Sequence, residues 1–197
     1  MIYSCKKGAF YQNKFHWNFE GLEGKDILVT VYTNCEELEL FLNGQSHGKK
    51  QIEKYGHGEW NVPYKSGTLE VKGYINGKLV ATDKRITTGK PVALKITLDN
   101  EFDANGRDIA LFTCECVDVT GNAVPDALEF VNFSVNVPAV IVGTGSDNCD
   151  HNNVANTERK MYMGKIRIAV KPAKDQKNIR LSAFSENCKS DSIEITL

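Results

Sequence analysis

The stretch that decides the fold is ELELFLNGQS, residues 37–46. Its leucines occupy every second position up to an Asn-Gly pair at 43–44. Such alternation is typical of a strand with one buried and one solvated face. Asn-Gly favours the two-residue turn of a β-hairpin, because both residues accept a positive φ. The stretch therefore predicts a hairpin in which residues 38–43 fold back on the segment after Gln45.

The same pattern recurs on both sides of this hairpin. Apolar residues alternate in residues 27–31, and residues 68–75 are joined to 78–86 by a second Asn-Gly pair. Further turn residues cluster at 103–106 and 120–122. Turn signals spaced by about 8 to 12 residues are typical of antiparallel sandwiches. We therefore predict an all-β chain.

A short linker at Gly89-Lys90-Pro91 separates two sets of these runs. We predict two tandem antiparallel immunoglobulin-like β-sandwich domains, at residues 13–89 and 90–197, after an N-terminal extension at residues 1–12. The second domain has the size and the six or seven apolar runs of an immunoglobulin-like sandwich. Both tryptophans lie in the first domain. The second domain therefore lacks the buried tryptophan of antibody domains and resembles them in architecture only.

The composition is that of an ordinary globular protein: 41% hydrophobic and 25% charged residues in 197, with a formal net charge of -1. This charge argues against the broad basic surface that nucleic acids or anionic membranes require, so we expect no nucleic-acid partner. No apolar run reaches the ~20 residues of a membrane span, so we expect no membrane insertion. The N-terminus lacks the residue order of an export signal.

The six cysteines are sparse for a disulfide-stabilised scaffold of this length. We predict that most are free, buried thiols that pack as small hydrophobic residues. Two alternatives remain open. One is a single bridge in the C-terminal half, and the other is a zinc site formed by Cys114, Cys116, Cys149 and His151, for which no C-x-x-C pair exists.

Catalytic motifs are lacking in the sequence. Hydrolysis of a glycoside needs two carboxylates on either side of the scissile bond. The acidic residues here fall on the solvent side of strands or in turns, and their spacing selects no pair. We therefore predict no catalytic residue and no cofactor.

The most polar stretch is residues 147–153, where Asp147 and Asp150 are weak candidates for metal ligands. Counted as a calcium-binding EF-hand loop from Asp147, it has Cys149, His151 and Asn152 where that loop needs oxygen ligands and a glycine. The prediction is a polar loop between strands, without a metal.

Exposed aromatic rings would be the other route to function, since an apolar ring face packs on the C–H groups of a sugar. The candidates for contact with a glycan or a neighbouring domain are Trp17, Phe15, Trp60 and Tyr55. The alternative is that the two tryptophans belong to the core of the first domain.

Residues 16–21, HWNFEG, resemble the segment that follows the catalytic barrel in family 2 glycoside hydrolases of the bacterial β-galactosidase type. The resemblance continues through residues 29–34, 37–48 and 60–69. Residues 117–127 and 131–135 resemble the C-terminal immunoglobulin-like domain of the same enzymes. Residues 143–147 resemble a glycine-rich turn of the same domain. In that domain the turn is usually followed by Asn/Asp-Pro, which Cys149-Asp150 replaces here.

This resemblance implies that the catalytic glutamates lie on a (β/α)₈ barrel outside this sequence, so no catalytic residue carries over. The implied partner is that barrel, and this chain would support it and contribute to substrate access or oligomerisation. We then expect an exposed apolar patch around Trp17 and Phe15, where the chain would contact its neighbour. The parent enzyme would be periplasmic or extracellular. The alternative is a carbohydrate-binding module or adhesin-type immunoglobulin-like domains, with carbohydrate as the partner.

Overall fold

The computed structural model describes the backbone of residues 2–6 and the whole of residues 15–147 and 151–196. The chain divides into two compact units, residues 1–88 and 89–197. All regular structure in the described ranges is β-structure, which confirms the all-β prediction. These ranges hold no helix with the length and apolarity that a membrane span requires.

The first unit is a sandwich of two antiparallel sheets. Its strands are β1 (Ile2–Lys6), β2 (Asp26–Tyr32), β3 (Glu37–Leu42), β4 (Gln45–Gln51), β5 (His57–Pro63), β6 (Thr68–Ile75) and β7 (Lys78–Ile86). One sheet has the order β1-β2-β5 and the other the order β4-β3-β6-β7. The buried side chains between them include Ile27, Val29, Val31, Leu38, Leu40, Leu42, Trp60, Val62, Leu69 and Val71.

Both predicted Asn-Gly hairpins are present. Asn43 and Gly44 have φ values of 51° and 80°, and Asn76 and Gly77 have values of 49° and 71°. These are the left-handed conformations of a type I′ turn, whose twist matches that of the strands it joins. The first turn connects β3 to β4 and the second connects β6 to β7.

The first strand differs from the sequence prediction. Residues 1–12 were expected to be an extension, but Ile2 to Lys6 pair with β2 from Val31 to Ile27. The other side of β2 is paired with β5. Strand β2 is therefore the central strand of its sheet, with backbone partners on both sides.

The second unit is also a sandwich of two antiparallel sheets. Its strands are β8 (Ala93–Leu98), β9 (Ala110–Val117), β10 (Phe130–Val135), β11 (Val140–Gly145), β12 (Glu158–Lys160), β13 (Lys165–Lys171), β14 (Asn178–Phe184) and β15 (Asp191–Thr196). The sheet orders are β12-β10-β14-β15 and β11-β13-β9-β8. The buried side chains between them include Leu94, Ile96, Phe112, Val131, Phe133, Ile166, Ile168, Val170, Ile179 and Leu181.

Four cysteines lie in the described ranges with their side chains, and all four are free and buried: Cys35, Cys114, Cys116 and Cys188. The prediction of buried free thiols is confirmed for these four. Burial raises the pKa of Cys114 to about 12, because the charged thiolate loses its hydration. The side chains of Cys5 and Cys149 lie outside the described residues. Cys149 is one of the four residues of the alternative zinc site, so that site is not fully described.

Candidate functional site

Trp17 lies in the core of the first unit, with 0% of its surface exposed. Its ring packs edge-on against Phe19 and Tyr64, at centroid distances of 5.8 and 5.2 Å. The indole Nε1 donates to the Lys65 carbonyl oxygen at 2.9 Å. The expectation of an exposed apolar patch around Trp17 is therefore wrong, because this ring fills the interior of its own sandwich and its polar edge is satisfied there.

Phe15 precedes this aromatic cluster and is 40% exposed. It is one of the large apolar side chains of the first unit that reach solvent. Phe15 thus keeps part of the accessibility that a contact residue needs, unlike Trp17.

Trp60 is also a core residue, with 6% exposure. It lies on β5 opposite Val29, and Lys50 Nζ lies 5.3 Å from its ring centroid. The backbone of Gly58 approaches the ring so closely that a Cβ there would lie 2.6 Å from two ring atoms. A sugar cannot stack on a ring enclosed in this way. The alternative of core packing therefore holds for both tryptophans.

Tyr55 has the opposite environment. It is 92% exposed at the tip of the connection between β4 and β5. The turn is closed by Gly56 N–H, which donates to the Glu53 carbonyl oxygen at 2.8 Å. Tyr55 occupies the third position of this turn with a φ of 68°, a conformation that normally selects glycine or asparagine. Of the four aromatic candidates, Tyr55 presents its ring most openly to solvent.

A second accessible surface, which we call the β7 edge, was not predicted from the sequence. Strand β7 lies at the edge of its sheet, and Leu79, Val80 and Ile86 on it are 54%, 54% and 44% exposed. Long apolar edge strands are normally covered or paired. The signal was visible in KLVATDKRI, residues 78–86, where three adjacent apolar residues, 79–81, break strict alternation.

Two carboxylates of the first unit, Glu37 and Glu70, lie on strands β3 and β6 and pair with lysines of the neighbouring strands. Glu37 pairs with Lys49 at 2.8 Å, and Glu70 pairs with Lys84 at 3.6 Å. The lysine side chains of these pairs are half-exposed and the glutamate side chains are 21% and 22% exposed. Ion pairs near the surface contribute about 0–1 kcal/mol each. This arrangement has the character of a solvated sheet surface. It does not hold two carboxylates on either side of a bound glycosidic bond.

The metal candidates are Asp147, which follows β11, and Asp150, which lies outside the described residues. In the ranges 15–147 and 151–196, no group of three or more His, Cys, Asp or Glu side chains is arranged to hold an ion. The Arg159 side chain links β11 to Asn153. This side chain is 2% exposed and donates through Nη2 to the carbonyl oxygens of Thr144 and Asn153, both at 2.8 Å.

Two family profiles match the chain. Residues 24–81 match a domain of unknown function, DUF4982, and residues 94–194 match glycoside hydrolase family 2 C-terminal domain 5. The second match covers half of the chain and most of the second unit.

Curated relatives cover nearly the whole chain. β-Galactosidase BoGH2A of Bacteroides ovatus is 32% identical over 185 residues, which are 92% of this chain and 22% of that enzyme. A β-glucuronidase of Formosa agariphila is 29% identical over 91% of this chain and 19% of its own length. The chain thus spans about a fifth of the length of these relatives.

Solved structures of family 2 glycoside hydrolases have the same fold as this chain. A family 2 glycosyl hydrolase from Bacteroides cellulosilyticus superposes with a TM-score of 0.88 at 34% identity, over 99% of this chain and 28% of that one. A β-glucuronidase from glycoside hydrolase family 2 gives a TM-score of 0.80 at 28% identity, over 92% of this chain and 19% of that one. Since both the profile and the fold match, the chain belongs to glycoside hydrolase family 2 and corresponds to the C-terminal region of its β-galactosidase- and β-glucuronidase-like enzymes.

Proposed function

We propose that this chain is a non-catalytic C-terminal part of a family 2 β-galactosidase, in which its two sandwich units support the catalytic barrel. The observation that carries the proposal is the coverage of BoGH2A: 92% of this chain corresponds to only 22% of that enzyme. The chain thus aligns as one continuous piece with a small part of a much longer protein. A β-glucuronidase parent is the alternative, since relatives of both names match.

The distribution of charge and aromatic residues supports a non-catalytic role. The carboxylates Glu37 and Glu70 pair with lysines of neighbouring strands, and the two tryptophans are enclosed in the core. Hydrolysis would instead need two carboxylates facing each other across a bound sugar, in inverting as in retaining enzymes. Support of a barrel requires only a stable sandwich and a surface that can be covered.

The β7 edge is our candidate for that surface in the first unit. Leu79 and Val80 are each 54% exposed, and among the described strands none pairs with the outer edge of β7. A neighbouring domain that covered it would remove apolar area from water and protect the edge from unwanted pairing. Phe15, at 40% exposure, is a second contact candidate.

The proposal can be tested in BoGH2A. The enzyme would be compared intact, with the region that matches this chain deleted, and with that region replaced by this chain. We expect the deletion to lower both activity on an aryl β-galactoside and melting temperature, and the replacement to restore them in part. The double variant Leu79→Ser/Val80→Ser should weaken the restoration, whereas Thr82→Ser on the same strand serves as the matched control.

Two different results would contradict the two parts of the proposal. A deleted enzyme that is as active and as stable as the intact one would contradict a supporting role. Turnover of the aryl β-galactoside or β-glucuronide by the isolated chain, proportional to its concentration after repeated purification, would contradict a non-catalytic one.

Contact with carbohydrate is a second candidate function, and Tyr55 is the observation that favours it. The ring is 92% exposed and sits in a backbone conformation that a bulky residue adopts at a cost. Calorimetric titration of the chain with galactosides and polysaccharides would test it. Binding that is lost in Tyr55→Asn, with melting unchanged or improved, would support a glycan contact; equal affinities would remove Tyr55 from consideration.

A further inference from the structure

Cys116 and Cys188 face each other inside the second unit. Their Sγ atoms lie 3.9 Å apart, although the residues are 72 positions apart in sequence. Cys116 is on β9 of one sheet, and Cys188 lies in the connection between β14 and β15 of the other. The two thiols thus meet across the interface between the sheets.

Backbone hydrogen bonds hold both cysteines in this position. Lys189 N–H donates to the Val92 carbonyl oxygen at 2.9 Å, and Leu94 N–H donates to the Lys189 carbonyl oxygen at 2.8 Å. Leu94 is in turn paired with Cys116 across β8 and β9. The residue after Cys188 is therefore fixed to the strand that neighbours Cys116, and the contact between the sulfurs does not depend on a mobile loop.

We propose that Cys116 and Cys188 form a disulfide that ties the two sheets of the second unit together when the chain meets an oxidant of the disulfide class. An S–S bond is about 2.05 Å long, so the sulfurs must approach by roughly 2 Å. Rotation about the Cα–Cβ bonds of two neighbouring cysteines displaces sulfur atoms by this order.

The chemistry balances with oxidised glutathione as the oxidant. The Cys188 thiolate attacks one glutathione sulfur, which forms a mixed disulfide and releases one glutathione thiolate. The Cys116 thiolate then attacks the Cys188 sulfur, which forms the protein disulfide and releases the second glutathione. The two protein thiols lose two protons and two electrons, and oxidised glutathione becomes two reduced molecules. Cys188 reacts first because it is 7% exposed, whereas Cys116 is 0% exposed.

Burial also sets the conditions for closure. It raises the pKa of both the Cys116 and the Cys188 thiol, because the thiolates lose hydration. The reactive thiolate is therefore scarce in the folded chain at neutral pH. We expect the bridge to close slowly in the folded protein, and faster at alkaline pH or during refolding.

Peptide mapping can identify the bridge. The full chain would be refolded in oxidised and reduced glutathione, alkylated, and cleaved after glutamate without reduction. Glu115 separates Cys114 from Cys116, and Glu129 separates Cys116 from Cys149. The proposal predicts that peptides 116–129 and 187–194 are recovered as one disulfide-linked species.

Single variants make the assignment specific. Cys188→Ala should abolish the linked species, whereas Cys114→Ala and Cys35→Ala should retain it. Cys116→Ala should instead leave a glutathione adduct on Cys188, as the exchange sequence requires. Cys114 is the sharper control, because it lies two residues from Cys116 and is equally buried.

Thermal melting gives a second readout. The oxidised chain should melt about 5 °C or more above the reduced one, since closing a long loop restricts the unfolded chain. Cys188→Ala should show no such difference between the two conditions. Full alkylation of both cysteines after oxidative refolding, or a link from Cys188 to a cysteine other than Cys116, would overturn the proposal.

Discussion

Gly58 lies directly against the ring of Trp60, at a distance that leaves no room for a side chain. A Cβ on Gly58 would come within 2.6 Å of Cη2 and Cζ3 of the ring and 3.2 Å from Leu38 Cδ1. The Trp60 ring can therefore take its enclosed position only because residue 58 has no side chain.

Gly58→Ala should therefore destabilise the first unit. The ring has to move within a packed core, which costs about 1–3 kcal/mol. Chemical unfolding followed by tryptophan fluorescence measures this loss, because both tryptophans lie in this unit. Thr82→Ser is the control, because Thr82 is an exposed residue of the same unit. Equal stabilities of Gly58→Ala and the parent chain would show that the ring relaxes freely.

Tyr55→Gly should stabilise the chain although it removes a large aromatic residue. Tyr55 has a φ of 68° and makes its turn almost entirely in solvent. Glycine adopts this conformation without the steric cost of a Cβ, and a gain of about 1 kcal/mol is expected. Tyr55→Asn should give a smaller gain in melting temperature. A loss of stability in both variants would mean that the ring makes stabilising contacts within the first unit.

The sequence predicted the elements whose signals are local. The Asn-Gly turns at 43–44 and 76–77 depend on the conformational preferences of two residues, and both hairpins formed where expected. Strand β11 was not predicted, because Gly143 and Gly145 dilute its apolar run and a bulge between Ile141 and Gly143 shifts its register. Strand β12 has only three residues, too few to show a period.

The location of aromatic rings could not be predicted from periodicity. Trp17 lies outside any strand, so its burial depends on Phe19 and Tyr64, which tertiary packing brings to it. In the same way, Val137 continues the alternation of Val131, Phe133 and Val135 but is 87% exposed, because β10 ends at Val135. The sulfur contact between Cys116 and Cys188 joins residues 72 positions apart, and no local pattern reports such a pair.

Asp118 should make the stability of the second unit depend on pH in the acid range. Its pKa is lowered to about 2, first by the hydrogen bond from Gly89 N–H and then by those from Thr120 and Asn122. A carboxyl group whose pKa is lower in the folded than in the unfolded state stabilises the fold above its unfolded pKa, near 4, and loses this effect as the pH falls towards 2.

Asp118→Asn should therefore lower the melting temperature at pH 7 and have little effect near pH 2. The loss at pH 7 should be about 2 kcal/mol, as expected for hydrogen bonds to a charged acceptor. Melting curves of both chains between pH 2 and 7 measure the difference. A difference that stays constant over this range would show that the charge of Asp118 does not contribute.

Arg159→Met should loosen the connection between β11 and β12. The guanidinium donates to the carbonyl oxygens of Thr144 and Asn153 and to the Thr144 hydroxyl, and the residue is 2% exposed. Methionine fills similar space but donates no hydrogen bond, so the carbonyl oxygens of the buried Thr144 and the exposed Asn153 lose this donor. Hydrogen bonds from a charged donor contribute about 1.5–3 kcal/mol each before desolvation of the charge is counted, and the net loss should be near the lower value. Hydrogen exchange should rise at the amides of residues 151–156 before it rises in β13. Arg159→Lys keeps the charge but has fewer donors, so its exchange rates at these amides should lie between those of the parent chain and of Arg159→Met. Exchange that increases equally throughout the second unit would mean that Arg159 stabilises the whole sandwich and does not specifically order this loop.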